Sequence, residues 1–272
     1  MKNKTNVTLH QIIDRYLEEK QVHNPATVSN CNKIAAFFGD VDIGTISEKM
    51  VLDYILSRRL IAKPATINRE PTVIKQIFKQ AHRQGLIPTN PVTFVGYEKL
   101  SNMRDRWITP EEESLLISNA YDWLKPIIPF ATSTGMRRRE ILNLRSEAIN
   151  IQTRTLTLTS TKNGVNRAIP LTDRAFKSIP PDCNGYVFQR DGKRIDESAL
   201  EYAFKKACRL AGIKDLHFHD MRHTAASRWV QGGVDLYIVQ RLLGHKNPIM
   251  TQRYAHHSVE SLRKAIENVP GL

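Results

Sequence analysis

Four short stretches of this sequence hold polar side chains that helical packing alone would not ask for. Arg137 follows Thr134-Gly135-Met136, with Glu140 three residues on. The run His219-Asp220-Met221-Arg222-His223 opens a helix, and His219 and Arg222, three apart, share one of its faces. Leu243-Gly244-His245 comes after another helix, and Thr251-Gln252-Arg253-Tyr254 lies just beyond it. Guanidinium groups grip anionic oxygens in bidentate fashion without losing charge. A tyrosine hydroxyl ordinarily titrates near 10, so it attacks as a nucleophile only by losing its proton. Taken singly, each residue has a bland reading: Arg137 as an ion-pairing surface arginine, His245 as a partner for the last carbonyls of a helix, Tyr254 as an ordinary tyrosine. His219 and His223, four apart, suggest a metal pair, but the glutamate of an HExxH zinc site is absent.

The elements that must position these residues fall into two halves. The first reads as helices only. Thr8 caps a stripe of Leu9, Ile12, Ile13, Tyr16 and Leu17, and Pro25 opens a second helix that Gly39 stops. Ser47 caps a third with Val51, Tyr54 and Ile55, and a fourth carries Ile67, Ile74, Ile77, Phe78 and Ala81, beginning close to Pro71 and ending at Gly85. A Pro-rich, aperiodic stretch from Pro88 to Pro110 marks a domain boundary near Arg104. The second half opens on the helix signal Thr109-Pro110-Glu111-Glu112-Glu113, with helical segments near 110–120 and 122–132. Its pattern then turns to period two. Leu156 and Leu158 alternate with threonines, an Asn163-Gly164 turn follows, and a second strand runs through Arg167, Ile169 and Leu171. Helices return near 196–211, 219–231, 235–243 and 259–268. The fold class is therefore mainly α with a small antiparallel β-sheet.

Charge narrows the partners. Forty Lys and Arg against 27 acidic residues give a net +13, which attracts polyanions such as nucleic acid or an acidic membrane surface. The basic residues are spread along the chain, which favours a long binding surface over a basic arm. No apolar run approaches the roughly 20 residues of a membrane span, and the N-terminus lacks a signal-peptide stretch. Cys31, Cys183 and Cys208 are odd in number and far apart, so they read as core residues in a reducing compartment, not a disulfide or zinc framework.

Together the stretches TGMR…E, LHFHDMRHTAASRW and LLGHKNPIMTQRYAH resemble the signature series of the tyrosine recombinases, the phage-integrase type. The family order is Arg, Lys on a hairpin, His-x-x-Arg, Leu-Gly-His, Tyr. Arg137, Lys162, His219, Arg222, His245 and Tyr254 fill all six places, over about residues 105–257. The resemblance implies residues 1–100 as a SAM-like helical core-binding domain, 101–108 as linker, 109–257 as a mixed α/β catalytic domain, and 258–272 as a C-terminal helix exchanged between protomers. In that tail Val259, Leu262, Ile266 and Val269 recur at helical spacing, a stripe that needs a partner to bury it: by itself it reads as docking on its own domain, and the resemblance implies docking on a neighbouring protomer.

The resemblance implies a site-specific recombinase acting through a 3′-phosphotyrosine on Tyr254, with no cofactor, ATP or metal. Arg137 and Arg222 would clamp the phosphate, Lys162 would protonate the leaving 5′ oxygen, and His245 would hydrogen-bond the phosphate. His219 would serve as base or hydrogen-bond partner, and Glu140 would orient the site by pairing with an arginine or with His219. The partners it implies are double-stranded DNA, a homotetramer on synapsed sites, and accessory DNA-bending or directionality factors. It places the protein in the cytoplasm of a bacterium or phage-infected host, at the nucleoid. On the fourth helix Lys75, Lys79, His82 and Arg83 are candidates for reading DNA, against the reading of a merely solvated basic face. Little chain precedes Leu9, which suggests a simple recombinase or a naturally short integrase. Three rivals remain: type IB topoisomerase-like relaxation, a non-catalytic DNA-binding regulator, and a metal-dependent nuclease, which would want a carboxylate cluster that the sequence lacks.

Overall fold

The computed structural model describes residues 7–19, 24–61, 68–93, 106–159, 166–181 and 183–255. Expectations about Ile67, linker residues 101–105, Lys162 with its Asn163-Gly164 turn, and the helix at 258–272 lie outside them. By its contacts the chain divides into two compact units, Met1–Asn102 and Met103–Leu272.

The first unit is helical for the reasons its sequence advertises. Helix α1 (Leu9–Glu19) starts where Thr8 and Gln11 exchange side-chain-to-backbone hydrogen bonds of 3.3 and 3.1 Å. Asn24 caps α2 (Pro25–Phe38), and Gly39 ends it at φ 72°, a conformation that favours glycine. Ser47 caps α3 (Glu48–Arg59), and α4 spans Arg69–Arg83. Pro71 sits on the third residue of α4, where a backbone N–H has no intrahelical acceptor to lose, so the helix tolerates it. The apolar stripes meet in one core containing Leu9, Ile12, Ile34, Tyr54, Ile74 and Phe78.

Within that core lies a buried acid. Glu70 is 1% exposed and accepts both Nε and Nη2 of Arg58, at 2.7 and 2.8 Å, and the Tyr54 hydroxyl at 3.0 Å. Burial pushes its carboxyl up, but the hydrogen bonds from Arg58 and Tyr54 outweigh it and hold the group below the usual carboxylate range. A depressed folded-state value means its stabilisation is present above that range and is lost as pH falls through it. Glu70→Gln should lower the opening free energy of α3 and α4 by about 2 kcal/mol at neutral pH, because Arg58 loses its counter-charge. Hydrogen exchange of the α3 and α4 amides reads this, and the difference from wild type should shrink in acid.

The second unit wraps helices around a small sheet. A capping box of Thr109 and Glu112 starts α5 (Pro110–Ser118). The helix expected over 122–132 begins later. Residues 119–126 make turns and α6 runs Ile127–Thr134, because Pro126 disfavours helical backbone at Lys125. After α7 (Arg138–Leu142) come β1 (Ile149–Asn150), β2 (Thr155–Leu158) and β3 (Arg167–Pro170), an antiparallel sheet in the order β1-β2-β3. Leu156 pairs with Ile169 and Leu158 with Arg167, so all four point to the buried face, as the alternation requires.

Next come α8 (Asp173–Lys177) and the hairpin β4 (Gln189–Arg190) and β5 (Lys193–Arg194). The unit continues with α9 (Glu197–Leu210), α10 (Asp220–Gln231), α11 (Leu236–Leu243) and α12 (Ile249–Gln252). Helix α10 buries Met221, Arg222, Thr224, Ala225, Ala226, Ser227 and Val230, more than one stripe, so it is the central helix of the unit. A small cluster of Ala226, Val230, Val239, Leu243 and Tyr254 ties α10 and α11 to the chain beyond α12.

Candidate active site

Arg222 organises the site. Only 4% exposed on α10, it donates from Nη1 to the Gly135 carbonyl and from Nη2 to the Leu243 carbonyl, both at 2.7 Å. One guanidinium thus joins the segment entering Arg137 to the segment entering His245, although 87 and 21 residues separate them from Arg222. Two glycines make this approach feasible. Gly135 ends α6 at φ 59°, and a Cβ there would lie 2.9 Å from the Trp229 ring. Gly244 ends α11 at φ 66°, and a Cβ there would lie 2.9 Å from Nη1 of Arg167. Both positions need the left-handed backbone and the missing side chain.

Arg137 caps α7. Its backbone N–H and its Nη1 both donate to Glu140, at 2.8 and 2.9 Å, and its Nη2 donates to the Gly244 carbonyl at 3.2 Å. Glu140 also accepts two bonds from Arg167 on β3, at 2.7 and 3.2 Å. The acid therefore pairs with arginines, not with His219. Burial pushes its carboxyl up, but Arg167 and Arg137 override this and hold it below the usual range, so it stays ionised.

Two guanidiniums, those of Arg137 and Arg167, pair with one carboxylate, and Arg222 lies within electrostatic reach of all three. Burial, joined by the charges of Arg137 and Arg167, pushes Arg222 down to about 9, which still leaves it cationic at neutral pH. The same environment keeps the histidines neutral. Burial and then Arg222 push His219 down, and burial followed by Arg222 and Arg137 pushes His245 to about 3. The Nδ1 of His245 meets the Thr251 hydroxyl at 2.8 Å, which orients the ring and leaves Nε2 for another partner. A partly exposed site with surplus positive charge and neutral imidazoles is suited to receive an anion that accepts many hydrogen bonds.

Tyr254 is 3% exposed in the cluster with Val239 and Leu243, and its hydroxyl lies 2.6 Å from Nδ1 of His223. His219 instead stands perpendicular to His223, with ring centroids 5.2 Å apart.

The structure therefore gathers Arg137, Glu140, His219, Arg222, His245 and Tyr254 in one unit, while Lys162 lies outside the described residues. Lys75, Lys79, His82 and Arg83 belong to α4 of the other unit. There Lys79 and Arg83 line a cleft with Glu19, Gln76, Gln80 and Gln84, and His82 spends Nδ1 on the Ile87 carbonyl at 3.0 Å. Two residues of the site escaped sequence reasoning. Arg167 left a trace, an arginine on the buried parity of a strand. His223 showed only its place beside Arg222 and its four-residue spacing from His219, which suggested a metal pair and not a partner for Tyr254. Among the described residues no group of three or more His, Cys, Asp or Glu is placed to hold a metal ion, and no helix is long and apolar enough to cross a membrane.

Known proteins resemble this chain in sequence and in fold. The phage integrase family model matches residues 106–261. The chain is 30% identical to a shufflon-specific DNA recombinase of Escherichia coli over 92% of its own length and 69% of that protein. It is 31% identical to the integrase of Salmonella phage P22 over 71% of its length and 55% of that integrase, so it spans only part of these relatives. Among solved structures, a lambda integrase dimer bound to a COC′ core site superposes with TM-score 0.77 at 20% identity, covering 91% of this chain and 77% of that one. At that identity the likeness carries the fold alone.

Proposed function

The chain belongs to the phage integrase family of tyrosine recombinases, enzymes that break and rejoin DNA, and from that premise we propose that it exchanges strands at specific sites through a 3′-phosphotyrosine on Tyr254. The carrying observation is the Arg222 guanidinium bonded to the carbonyls of Gly135 and Leu243, which brings the Arg137 and His245 segments to the helix that carries His223, the contact of the Tyr254 hydroxyl. In the proposed reaction Arg137 and Arg222 use their remaining N–H groups to clamp the scissile phosphate, whose equatorial oxygens gain charge as it is attacked. His245 donates to it through Nε2, and His219 takes a hydrogen-bonding place beside Arg222. Lys162 protonates the leaving 5′ oxygen. The phosphoester bond is exchanged rather than hydrolysed, so its energy is conserved and no nucleotide is consumed.

Double-stranded DNA is the proposed partner. The net charge of +13 supports this, as does a structural neighbour bound to its core site. We assign the exposed face of α4, with Lys75, Lys79, His82 and Arg83, to contacts along the duplex, and four copies to the synapsed sites. The test uses DNA flanking the chain's own gene, nicked so that the cleaved end diffuses away, with EDTA present. The expected result is a covalent protein–DNA band on a denaturing gel. A nuclease product with a free 3′ end and no attached protein would overturn the proposal. Relaxation of a plasmid lacking the site would redirect it to a topoisomerase.

A further inference from the structure

We propose that His223, outside the six-residue series that defines the family resemblance, is the general base of the reaction: its Nδ1 holds the Tyr254 hydroxyl and takes the phenol proton as the oxygen attacks phosphorus. The inference rests on Tyr254 being the nucleophile. Its ground is the 2.6 Å contact between Nδ1 of His223 and the Tyr254 oxygen, with ring centroids 5.9 Å apart. Both groups are held from behind. Tyr254 packs among Ala226, Val230, Val239 and Leu243, and the His223 ring is fixed edge-on by His219. A base must be within hydrogen-bond reach of the proton it removes, and His223 meets that condition.

The surroundings set the timing. His223 faces His219, Arg253, Arg222, Asp220 and Tyr254. Burial, followed by its neighbours His219 and Arg253, pushes it down to about 4, so the ring is neutral at working pH and free to accept. With its own proton on Nε2, the ring accepts the phenol O–H at Nδ1. A DNA phosphate held by Arg137 and Arg222 brings negative charge beside those cations. This raises the basicity of His223 when the substrate is in place. In the step itself the phenol O–H bond breaks and its proton goes to Nδ1, while the O–P bond forms and the P–O5′ bond breaks. The 5′ oxygen takes its proton from the separate acid, and rejoining runs the sequence backwards.

The test compares wild type, His223→Ala, His223→Asn and Tyr254→Phe on the nicked duplex, from about pH 6 to about pH 9. Asparagine keeps an acceptor at the Nδ1 position but cannot carry the proton. Both His223 variants should cleave about 100-fold slower at neutral pH. Their rates should climb with pH as solvent hydroxide takes over, while wild type stays flat and DNA affinity is unchanged in all. Full activity in His223→Asn would reduce His223 to a positioning role and overturn the proposal. So would a His223→Ala rate within twofold of wild type with the same profile. Covalent product from Tyr254→Phe would instead sink the underlying choice of nucleophile. A second readout needs no DNA: in ¹⁵N-histidine spectra, the His223 Nδ1 resonance should shift between wild type and Tyr254→Phe. An unchanged resonance would show that the contact does not exist in solution.

Discussion

Tyr254→Phe should give a folded, DNA-binding chain that forms no covalent complex with DNA at all. The substitution removes one oxygen. The phenylalanine ring keeps the packing against Ala226, Val230, Val239 and Leu243, so the cluster loses no volume. What disappears is the hydrogen bond to His223, worth about 1 kcal/mol. The variant should therefore melt within a few degrees of wild type and shift the same DNA at nearly the same concentration, since affinity comes mainly from phosphate contacts made elsewhere on the basic surface. The covalent band should fall by more than about 10⁴-fold, to the limit of detection, because no other group holds the nucleophile's place. A gel-shift titration beside the denaturing gel separates the two effects. A band that survives in this variant would mean that a different residue attacks. Loss of both binding and band would mean that the phenol is needed for structure, not chemistry.

How much of this was legible in the sequence depends on whether the signal was local. The helices of the first unit were readable because their caps and stripes sit within a few residues of each other: Thr8 with Gln11, Asn24 with Pro25, Ser47 with Met50. The β2–β3 sheet announced itself through Leu156 and Leu158 against Ile169. Strands of two residues, such as β4 and β5, are too short to show any period, and their Asp191-Gly192 turn passed unread. The start of α6 was misjudged because apolar residues on both sides of Pro126 hide the break that the proline imposes.

In the site, the ordered series and not any residue type alone singled out Arg137, Arg222, His245 and Tyr254. Their partners were another matter. Glu140 had two plausible mates, and only the packing of β3 against Gly244 brings Arg167 to it. His223 reaches Tyr254 across 31 residues by way of α11 and α12, a contact that no spacing rule encodes. The sequence announces which chemistry is available, and the tertiary fold decides which histidine stands next to the phenol.

Arg222→Lys tests whether this site needs a positive charge or a fork. Lysine preserves the charge, so a purely electrostatic account expects most of the activity to remain. The geometry forecasts otherwise. The guanidinium spans the Gly135 and Leu243 carbonyls with its two Nη groups while other N–H groups stay free for phosphate. An ammonium is a point donor that cannot reach both carbonyls and a phosphate from one position. At least one buried carbonyl is then left without a donor, at a cost of about 1–3 kcal/mol, and the Arg137 and His245 segments lose their common anchor. Covalent product should drop by about 10²–10³-fold, the scale seen when one donor to a developing oxyanion is removed. DNA affinity should change little, since one buried cation among 40 basic residues contributes little to nonspecific phosphate contact. Arg137→Lys gives the internal comparison. Arg137 is 26% exposed at its side chain and anchored mainly to Glu140 three residues away, so its replacement should slow cleavage with a smaller loss of stability than at Arg222. Measured melting temperatures and single-turnover cleavage for the two variants would separate the roles. Equal destabilisation by both would refute the view that Arg222 is the anchor, and near-normal cleavage by Arg222→Lys would show that charge alone suffices.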